Sequence, residues 1–196
     1  MLLLVGRIVA VPFLWLHHLQ ARVVGSERSF IAMSQLLSLF PDGAGTLVRR
    51  AFYQRTVEAF SDTCAISFGS VLTKPGARFG EHVYVGPSCS LGLVTVDRDV
   101  LIGDGVRVSS GSKQHGTADL SVAIREQAGS FERVHIGAAA WIGSGAIVLA
   151  DVGASAIVGA GAVVVASVPA FGVVAGNPAR LVRDRRDASA SDGSDT

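Results

Sequence analysis

A polar loop with one histidine interrupts an otherwise regular stretch of the chain, between Ser109 and His135. Because imidazole titrates near neutral pH, His115 can take a proton from an alcohol or amine as that group attacks a carbonyl carbon. A lone loop histidine is also compatible with a solvated side chain that has no role. Its place at the single break in the repeat favours chemistry. We expect the substrate to contact the polar residues around it, Gln114, Asp119, Arg125 and Glu126.

A period of six residues flanks this loop on both sides. The register slips by one residue after Leu91 and by two after Val148, and glycine follows the apolar residue in eight of twelve units. Neither a helix, with about 3.6 residues per turn, nor a strand, with about 2, repeats in this way. Hexapeptide repeats are typical of a parallel β-helix. The predicted inward residues are Phe79, Val85, Leu91, Val96, Ile102, Val108, Ile136, Ile142, Val148, Val152, Val158 and Val164.

The pattern therefore predicts an all-β repeat domain over residues 62–183, with the loop at 109–135 inserted into it. Three units make one triangular coil, so the twelve units predict four coils. The segment from Asp184 to Thr196 has no apolar anchor and is predicted to be a disordered tail.

Residues 1–61 differ from the repeat and are predicted to be an apolar, helical region. Ser29 to Phe40 and Thr46 to Phe60 have helical spacing, and a Pro-Asp-Gly breaker separates them. The apolar start, Met1 to Leu16, is shorter than the about 20 residues that a spanning helix needs. Its positive charge, Arg7, lies inside the apolar run and not before it, unlike a secretory signal. We therefore expect the protein to be cytoplasmic.

The charge of this region raises the question of a membrane contact. Residues 1–60 contain six arginines and no lysine, against three acidic residues. A helix with this balance suits the surface of an anionic membrane, which would place residues 1–60 at the inner face of the cytoplasmic membrane. The alternative is a helical cap whose apolar face packs on the rest of the protein.

Composition excludes several other classes of protein. Charged residues make up 17% of the chain and hydrophobic residues 49%, which is unlike a disordered polyelectrolyte. A net charge of +1 gives no reason to expect nucleic acid. Cys64 and Cys89 lack the spacing of metal ligands, so we expect buried, reduced thiols and no metal ion.

Residues 62–183 resemble the hexapeptide-repeat acyltransferases. The stretches "WIGSGAIVLADVG", "VGAGAVV" and "VAGNPARLVR" are similar to the closing coils of sugar O-acetyltransferases. The loop "SGSKQHG", followed by "IREQ", resembles bacterial acetyltransferases of exopolysaccharide and colanic-acid-type gene clusters. The resemblance implies a left-handed β-helix, a homotrimer with active sites between subunits, and acetyl-CoA as the acyl donor. It also implies a saccharide acceptor carried on a lipid or a nucleotide, in surface polysaccharide biosynthesis.

The same resemblance implies roles for individual residues. His115 matches the histidine base, and an oxyanion would be stabilised by a backbone N–H near Ser144. Trp141 would pack at the subunit boundary. The family has Thr-Lys where this chain has Val165 and Ala166, so the nucleotide end of the coenzyme is expected to be held differently. The implied coenzyme-binding residues are Ser144, Ala160, Asn177, Arg180 and Arg183.

Three alternatives remain open at this point. Serine acetylation or N-acylation of a nucleotide sugar would use the same scaffold. A γ-class carbonic anhydrase would need three histidines around a metal ion, and His82, His115 and His135 lie in or near the repeat. A third alternative is a β-helix without catalytic activity that serves as an interaction module.

Overall fold

The structure, a computed structural model, describes residues 2–189. Its N-terminal region contains three helices, α1 (Leu2–Val24), α2 (Ser26–Ser38) and α3 (Ala44–Thr56). The two predicted helices are confirmed. The third helix ends at Thr56 and not at Phe60, because the chain becomes extended at Val57 and enters the first strand. Within residues 2–189, no helix combines the length and hydropathy needed to cross a bilayer.

Short strands follow, wound into a stack of triangular coils of about six turns. The first six are β1 (Ala59–Phe60), β2 (Ala65–Ile66), β3 (Val71–Leu72), β4 (Arg78–Phe79), β5 (Tyr84–Val85) and β6 (Ser90–Leu91). The next six are β7 (Val94–Val96), β8 (Leu101–Ile102), β9 (Arg107–Val108), β10 (Val134–Ile136), β11 (Trp141–Ile142) and β12 (Ile147–Val148). The last four are β13 (Ile157–Val158), β14 (Val163–Val164), β15 (Gly172–Ala175) and β16 (Arg180–Asp184).

The strands form three sheets, one on each side of the prism. Sheet 1 contains β1, β4, β7 and β10, and sheet 3 contains β3, β6, β9, β12 and β14. Sheet 2 contains β2, β5, β8, β11, β13, β15 and β16, and all pairings except that of β15 with β16 are parallel. All twelve predicted inward residues are buried, and equivalent residues of successive coils are register partners, as Val85, Ile102, Ile142 and Val158 are in sheet 2. The predicted repeat is therefore confirmed, but it has about six turns instead of the four predicted coils.

The glycine that follows eight of the twelve inward residues allows the coils to stack closely. A Cβ on Gly143 would lie only 2.5 Å from the backbone nitrogen of Ala160 in the next coil. Gly137 and Gly153 face the same restriction, at 2.5 and 2.4 Å. Steric contact with the next coil, and not an unusual backbone conformation, explains glycine at these positions.

The helices cover the first coil of the β-helix. The Ser38 carbonyl accepts a hydrogen bond from the Gly69 N–H at 2.8 Å, and Ser34 Oγ accepts one from the Leu72 N–H at 2.8 Å. Polar backbone groups at the edge of this coil are thereby satisfied, which also protects the strand edge from pairing with another chain. α1 packs on α2 and α3 and is the outermost layer.

Arg49 of α3 joins the helices to the first coil. It is fully buried, and its guanidinium donates to the carbonyls of Ile66 (2.8 Å) and Phe40 (2.6 Å) and pairs with Asp42 at 2.6 Å. Burial lowers the pKa of Arg49 from its ordinary value, and Asp42 opposes that shift. The charge of Arg49 is thus used inside the fold. It does not contribute to the positive surface predicted for residues 1–60.

Two predicted boundaries are corrected at the ends of the repeat. The β-helix begins at Ala59, three residues before the predicted start at 62. The tail predicted to be disordered from Asp184 instead begins with the last residue of β16 and a short helix, α4 (Arg185–Ser189). Arg186 donates to the Asp184 carboxylate at 2.6 Å, and these hydrogen bonds lower the pKa of Asp184 to about 2. Residues 190–196 of the predicted tail lie outside the described residues.

Candidate functional site

The interruption in the repeat is a folded loop that projects where sheet 3 meets sheet 1. It covers residues 109–133, since residues 134 and 135 of the predicted loop belong to β10. Its two ends are joined by hydrogen bonds from the Glu132 N–H to the Ser110 carbonyl (2.9 Å) and from the Ser130 N–H to the Lys113 carbonyl (2.7 Å). We call residues 109–133 the histidine loop.

His115 lies on the exposed side of the histidine loop. Its side chain lines a shallow cavity with Lys113, Gly116–Ala118 and Ala128–Ser130. A Cβ on Gly129 would lie 2.1 Å from the Gln114 carbonyl oxygen and 2.5 Å from the His115 nitrogen. Only glycine at position 129 allows the second half of the loop to approach the backbone of His115 so closely.

The predicted substrate residues have other contacts within the loop. Gln114 donates to the Gly111 carbonyl at 3.2 Å. The Asp119 carboxylate accepts from the N–H and the hydroxyl of Ser121, at 2.9 and 2.6 Å, and these bonds lower its pKa. Arg125 and Glu126 lie in an exposed 3₁₀ turn and pair with each other at 3.3 Å. Their substrate role stays a prediction.

Gln127 holds the loop together, a role that the sequence did not indicate. Its side-chain amide donates to the carbonyls of Asp119 (2.7 Å) and Val122 (2.9 Å), and its oxygen accepts from the Asp119 N–H at 3.1 Å. The loop also exposes apolar side chains. Leu120 is 98% exposed and Ile124 57%.

The predicted coenzyme residues share another edge of the prism, where sheet 2 meets sheet 3. Ser144 and Ala160 occupy equivalent exposed positions in successive coils, and the Ser144 carbonyl accepts from the Gly161 N–H at 2.9 Å. Within residues 2–189, the N–H groups of Ser144 and Ala160 donate no hydrogen bond. We call this row of backbone groups the amide edge.

The two predicted arginines lie at the end of the amide edge. In the antiparallel pair β15–β16, Arg180 faces Ala175 and Arg183 faces Val173, with an irregularity at Val182 between them. Residues three apart normally point to opposite sides of a strand. The bulge at Val182 puts one extra residue between Arg180 and Arg183, so both side chains lie on the outer side of sheet 2.

The turn that leads to these arginines is fixed on the preceding coil. Asn177 and Pro178 are joined by a cis peptide bond and are exposed. On either side of them, the Gly176 carbonyl accepts from the Val163 N–H (3.0 Å) and the Ala179 N–H donates to the Val163 carbonyl (2.8 Å). Ala175 lies beside Gly159, 3.2 Å from where a Cβ on that glycine would be, so its partner Arg180 follows Ala160 along the edge, and Arg183, opposite Val173, lies beside the edge on sheet 2.

The structure thus separates the predicted residues into two groups within one chain. Ser144, Ala160 and the two arginines lie along the amide edge, whereas the cavity at His115 is lined by loop residues alone. Val165, which departs from the family pattern, lines a third place, a groove with Lys113 and Glu132 at the base of the histidine loop.

The other histidines of the β-helix and the two cysteines have local partners or are buried. His82 pairs with Asp99 at 3.2 Å and His135 with Asp97 at 2.9 Å. In the part of the chain that the structure describes, no three His, Cys, Asp or Glu side chains are close enough to share a metal ion. Both cysteines are buried, which raises the pKa of their thiols and disfavours a nucleophilic thiolate.

Several solved structures share this architecture. A hexapeptide-repeat acetyltransferase of Vibrio cholerae, solved with acetyl coenzyme A, is 20% identical, with a TM-score of 0.69 over 84% of this chain and 91% of that one. A galactoside acetyltransferase in complex with coenzyme A is 17% identical, with a TM-score of 0.69 over 86% of each chain. A maltose O-acetyltransferase of Clostridium difficile is 18% identical, with a TM-score of 0.69 over 81% and 86%.

The chain has the fold of the hexapeptide-repeat acetyltransferases. The predicted fold class, a left-handed parallel β-helix with an N-terminal helical segment, is confirmed. No protein-family model matches the chain, and a search of curated proteins also gives no match. At these identities, the likeness to acetyltransferase structures describes the fold.

Proposed function

We propose that the chain is an acetyl-CoA-dependent O-acetyltransferase that acetylates a saccharide hydroxyl in surface polysaccharide biosynthesis. The observation that carries the proposal is the amide edge. It offers the N–H groups of Ser144 and Ala160 to the carbonyls of a pantetheine chain and ends at two guanidiniums suited to phosphates. The solved structures of similar fold that hold acetyl coenzyme A or coenzyme A support this assignment.

The proposed reaction needs one base and one oxyanion site. The imidazole of His115 takes the proton of the acceptor hydroxyl while its oxygen attacks the thioester carbonyl carbon. The N–H near Ser144 donates to the oxyanion of the tetrahedral intermediate. The carbon–sulfur bond then breaks, and the coenzyme A thiolate takes the proton from the His115 imidazolium. The products are the acetyl ester and free coenzyme A.

Two subunits are proposed to complete each site. His115 and the amide edge lie on different parts of one chain, so the histidine loop would reach the edge of a neighbour in a homotrimer. Apolar surface for such a contact is present on both sides. The outer side of sheet 2 carries Tyr84, Leu101 and Trp141 in one register row, each at least 41% exposed, and the loop exposes Leu120 and Ile124.

The first test separates binding from chemistry. Titration calorimetry with coenzyme A should give saturable binding, weakened about tenfold or more in Arg180→Ala/Arg183→Ala because charge-assisted hydrogen bonds to the phosphates are lost. Arg98→Ala/Arg107→Ala, which removes two other exposed arginines of the β-helix, should bind normally. A wild-type chain that does not bind coenzyme A would refute the proposed function.

The second test concerns the base and the acceptor. Release of free thiol from acetyl-CoA, measured with a panel of saccharides, should fall about 10²–10⁴-fold in His115→Asn, with coenzyme A binding unchanged. His82→Asn is the matched control, because His82 is also exposed and its positive φ of 54° is tolerated by asparagine. Activity with amino sugars alone would favour N-acylation, and full activity of His115→Asn would exclude this histidine as the base.

A further inference from the structure

The outer face of α1 carries a continuous apolar stripe that the fold does not use. Ile8, Val11, Trp15, Leu19 and Val23 recur at spacings of three and four and lie on one side of the helix. Trp15 is 74% exposed, Leu19 63% and Val23 83%. Exposed apolar surfaces of this kind mark sites of interaction. We call these five residues the α1 stripe.

The opposite face of α1 accounts for its packing on the protein. Ala10 and His17 are buried, and the Phe13 ring meets Phe40 edge to face, with centroids 5.7 Å apart. His17 Nδ1 and Ser29 Oγ are 2.9 Å apart. The helix is therefore held in place by its inner face, and the α1 stripe is left for a partner outside the chain.

Charge distinguishes among the partners that this stripe could take. α1 contains no acidic residue, and Arg7 and Arg22 are exposed. Arg28, in the first turn of α2, is exposed as well. An apolar stripe bordered by arginine and containing an exposed tryptophan is typical of a helix that lies in the headgroup region of an anionic bilayer. An apolar groove between α1 and α3, lined by Val9, Phe40 and Leu47, adjoins it.

We infer that the α1 stripe docks on an anionic membrane surface, with α1 parallel to the bilayer plane. Trp15 and Leu19 enter the boundary between headgroups and acyl chains, and Arg7 and Arg22 bind lipid phosphates. This assigns the contact to one face of one helix and excludes Arg49, which is buried. The inference does not depend on the proposed reaction. If both hold, the enzyme works on acceptors presented at that surface.

Vesicle co-sedimentation of the full chain tests the inference without any assay of activity. Wild-type protein should sediment with vesicles of phosphatidylglycerol and phosphatidylcholine, and much less with phosphatidylcholine alone. Leu19→Glu should weaken binding to the anionic vesicles about tenfold or more, because a carboxylate replaces buried apolar surface next to anionic lipid. Leu39→Glu is the matched control, since it makes the same change at a leucine of similar exposure outside the α1 stripe, and it should bind as wild type does.

A second variant isolates the electrostatic part. Arg7→Ala/Arg22→Ala leaves the α1 stripe intact and should weaken binding to anionic vesicles about fivefold per arginine, with little effect on neutral vesicles. Circular dichroism and thermal unfolding of each variant show that its fold is intact. Equal binding to neutral and anionic vesicles, or equal loss in Leu19→Glu and Leu39→Glu, would overturn the inference. Absence of wild-type binding together with a lower oligomer mass of Leu19→Glu in light scattering would also overturn it, and would assign the stripe to a second copy of the chain.

Discussion

Gly129 and Gln127 hold the histidine loop in its shape, although neither side chain can act as a base. Gly129 permits the close approach to the backbone of His115, and Gln127 bridges the two sides of the loop tip through three hydrogen bonds. The sequence could indicate His115 because the residue type has known chemistry. It could not indicate these two residues, because their importance depends on contacts between positions that are distant along the loop.

Substitution of Gly129 tests how closely the position of His115 is specified. In Gly129→Ala the new methyl group would meet the Gln114 carbonyl, so the loop backbone must move. We expect turnover to fall about tenfold to a hundredfold, since small misplacements of a catalytic group are costly, with coenzyme A binding unchanged. Ser112→Ala, an exposed change in the same loop, should have little effect. Wild-type turnover in Gly129→Ala would mean that the loop adapts and that its resting shape does not set the rate.

Among the elements, the first coil shows where the glycine pattern of the sequence no longer identifies a coil. Coil 1 places Phe60, Ile66 and Leu72 inward at the same spacing of six, but serine or threonine follows each of them. Without the glycine that marks the later coils, this coil was not among the twelve predicted units, although Ile66 and Leu72 lie within the predicted domain. Coil 1 nevertheless stacks on the second coil without glycine, because the N–H groups of Ser61 and Ser67 donate to the carbonyls of Phe79 and Val85, as the Gly80 N–H donates to Val96 one coil later.

The junction of α1 and α2 makes a prediction about pH. His17 is 6% exposed. Its pKa is lowered below 6.5, mainly by burial and to a smaller extent by repulsion from His18, and the hydrogen bond with Ser29 opposes this shift only in part. The unfolded chain therefore binds more protons than the folded chain as the pH falls through 6.5. The free energy of unfolding is therefore expected to decrease as the pH falls from 6.5 to the lowered pKa of His17 in the folded chain. Thermal unfolding on either side of pH 6.5 measures it.

His17→Gln provides the control for this effect. Glutamine retains a polar side chain but does not titrate, so the variant should be less stable at neutral pH and should lose part of the pH dependence. A slope of stability against pH that is the same in His17→Gln and in the wild type would show that other groups cause it.

For the whole molecule, the separation of the histidine loop from the amide edge is the main consequence of the fold. In a β-helix each corner is a straight edge, and groups on different edges do not converge within one chain. The loop type and the coil motifs were recognisable in the sequence, because both are local. Whether the histidine loop and the amide edge meet depends on how a neighbouring chain is placed. Neither the hexad period nor the fold of one chain specifies that placement.

Mixed assemblies test this directly. Chains carrying His115→Asn retain the amide edge, and chains carrying Arg180→Ala/Arg183→Ala retain the histidine, so each alone should have low activity. If a site is built from two neighbours in a trimer, co-expression in equal amounts should restore about one quarter of the sites, because each needs a histidine from one chain type and an edge from the other. Differently tagged chains, purified through both tags, show that mixed trimers form, and in this selected fraction about one third of the sites should be active, because each mixed trimer has one complete site. The two variants mixed after separate assembly are the control and should stay inactive while subunits do not exchange. Mixed trimers without recovered activity would mean that the two groups do not act across a subunit boundary, and the proposed site between subunits would be wrong.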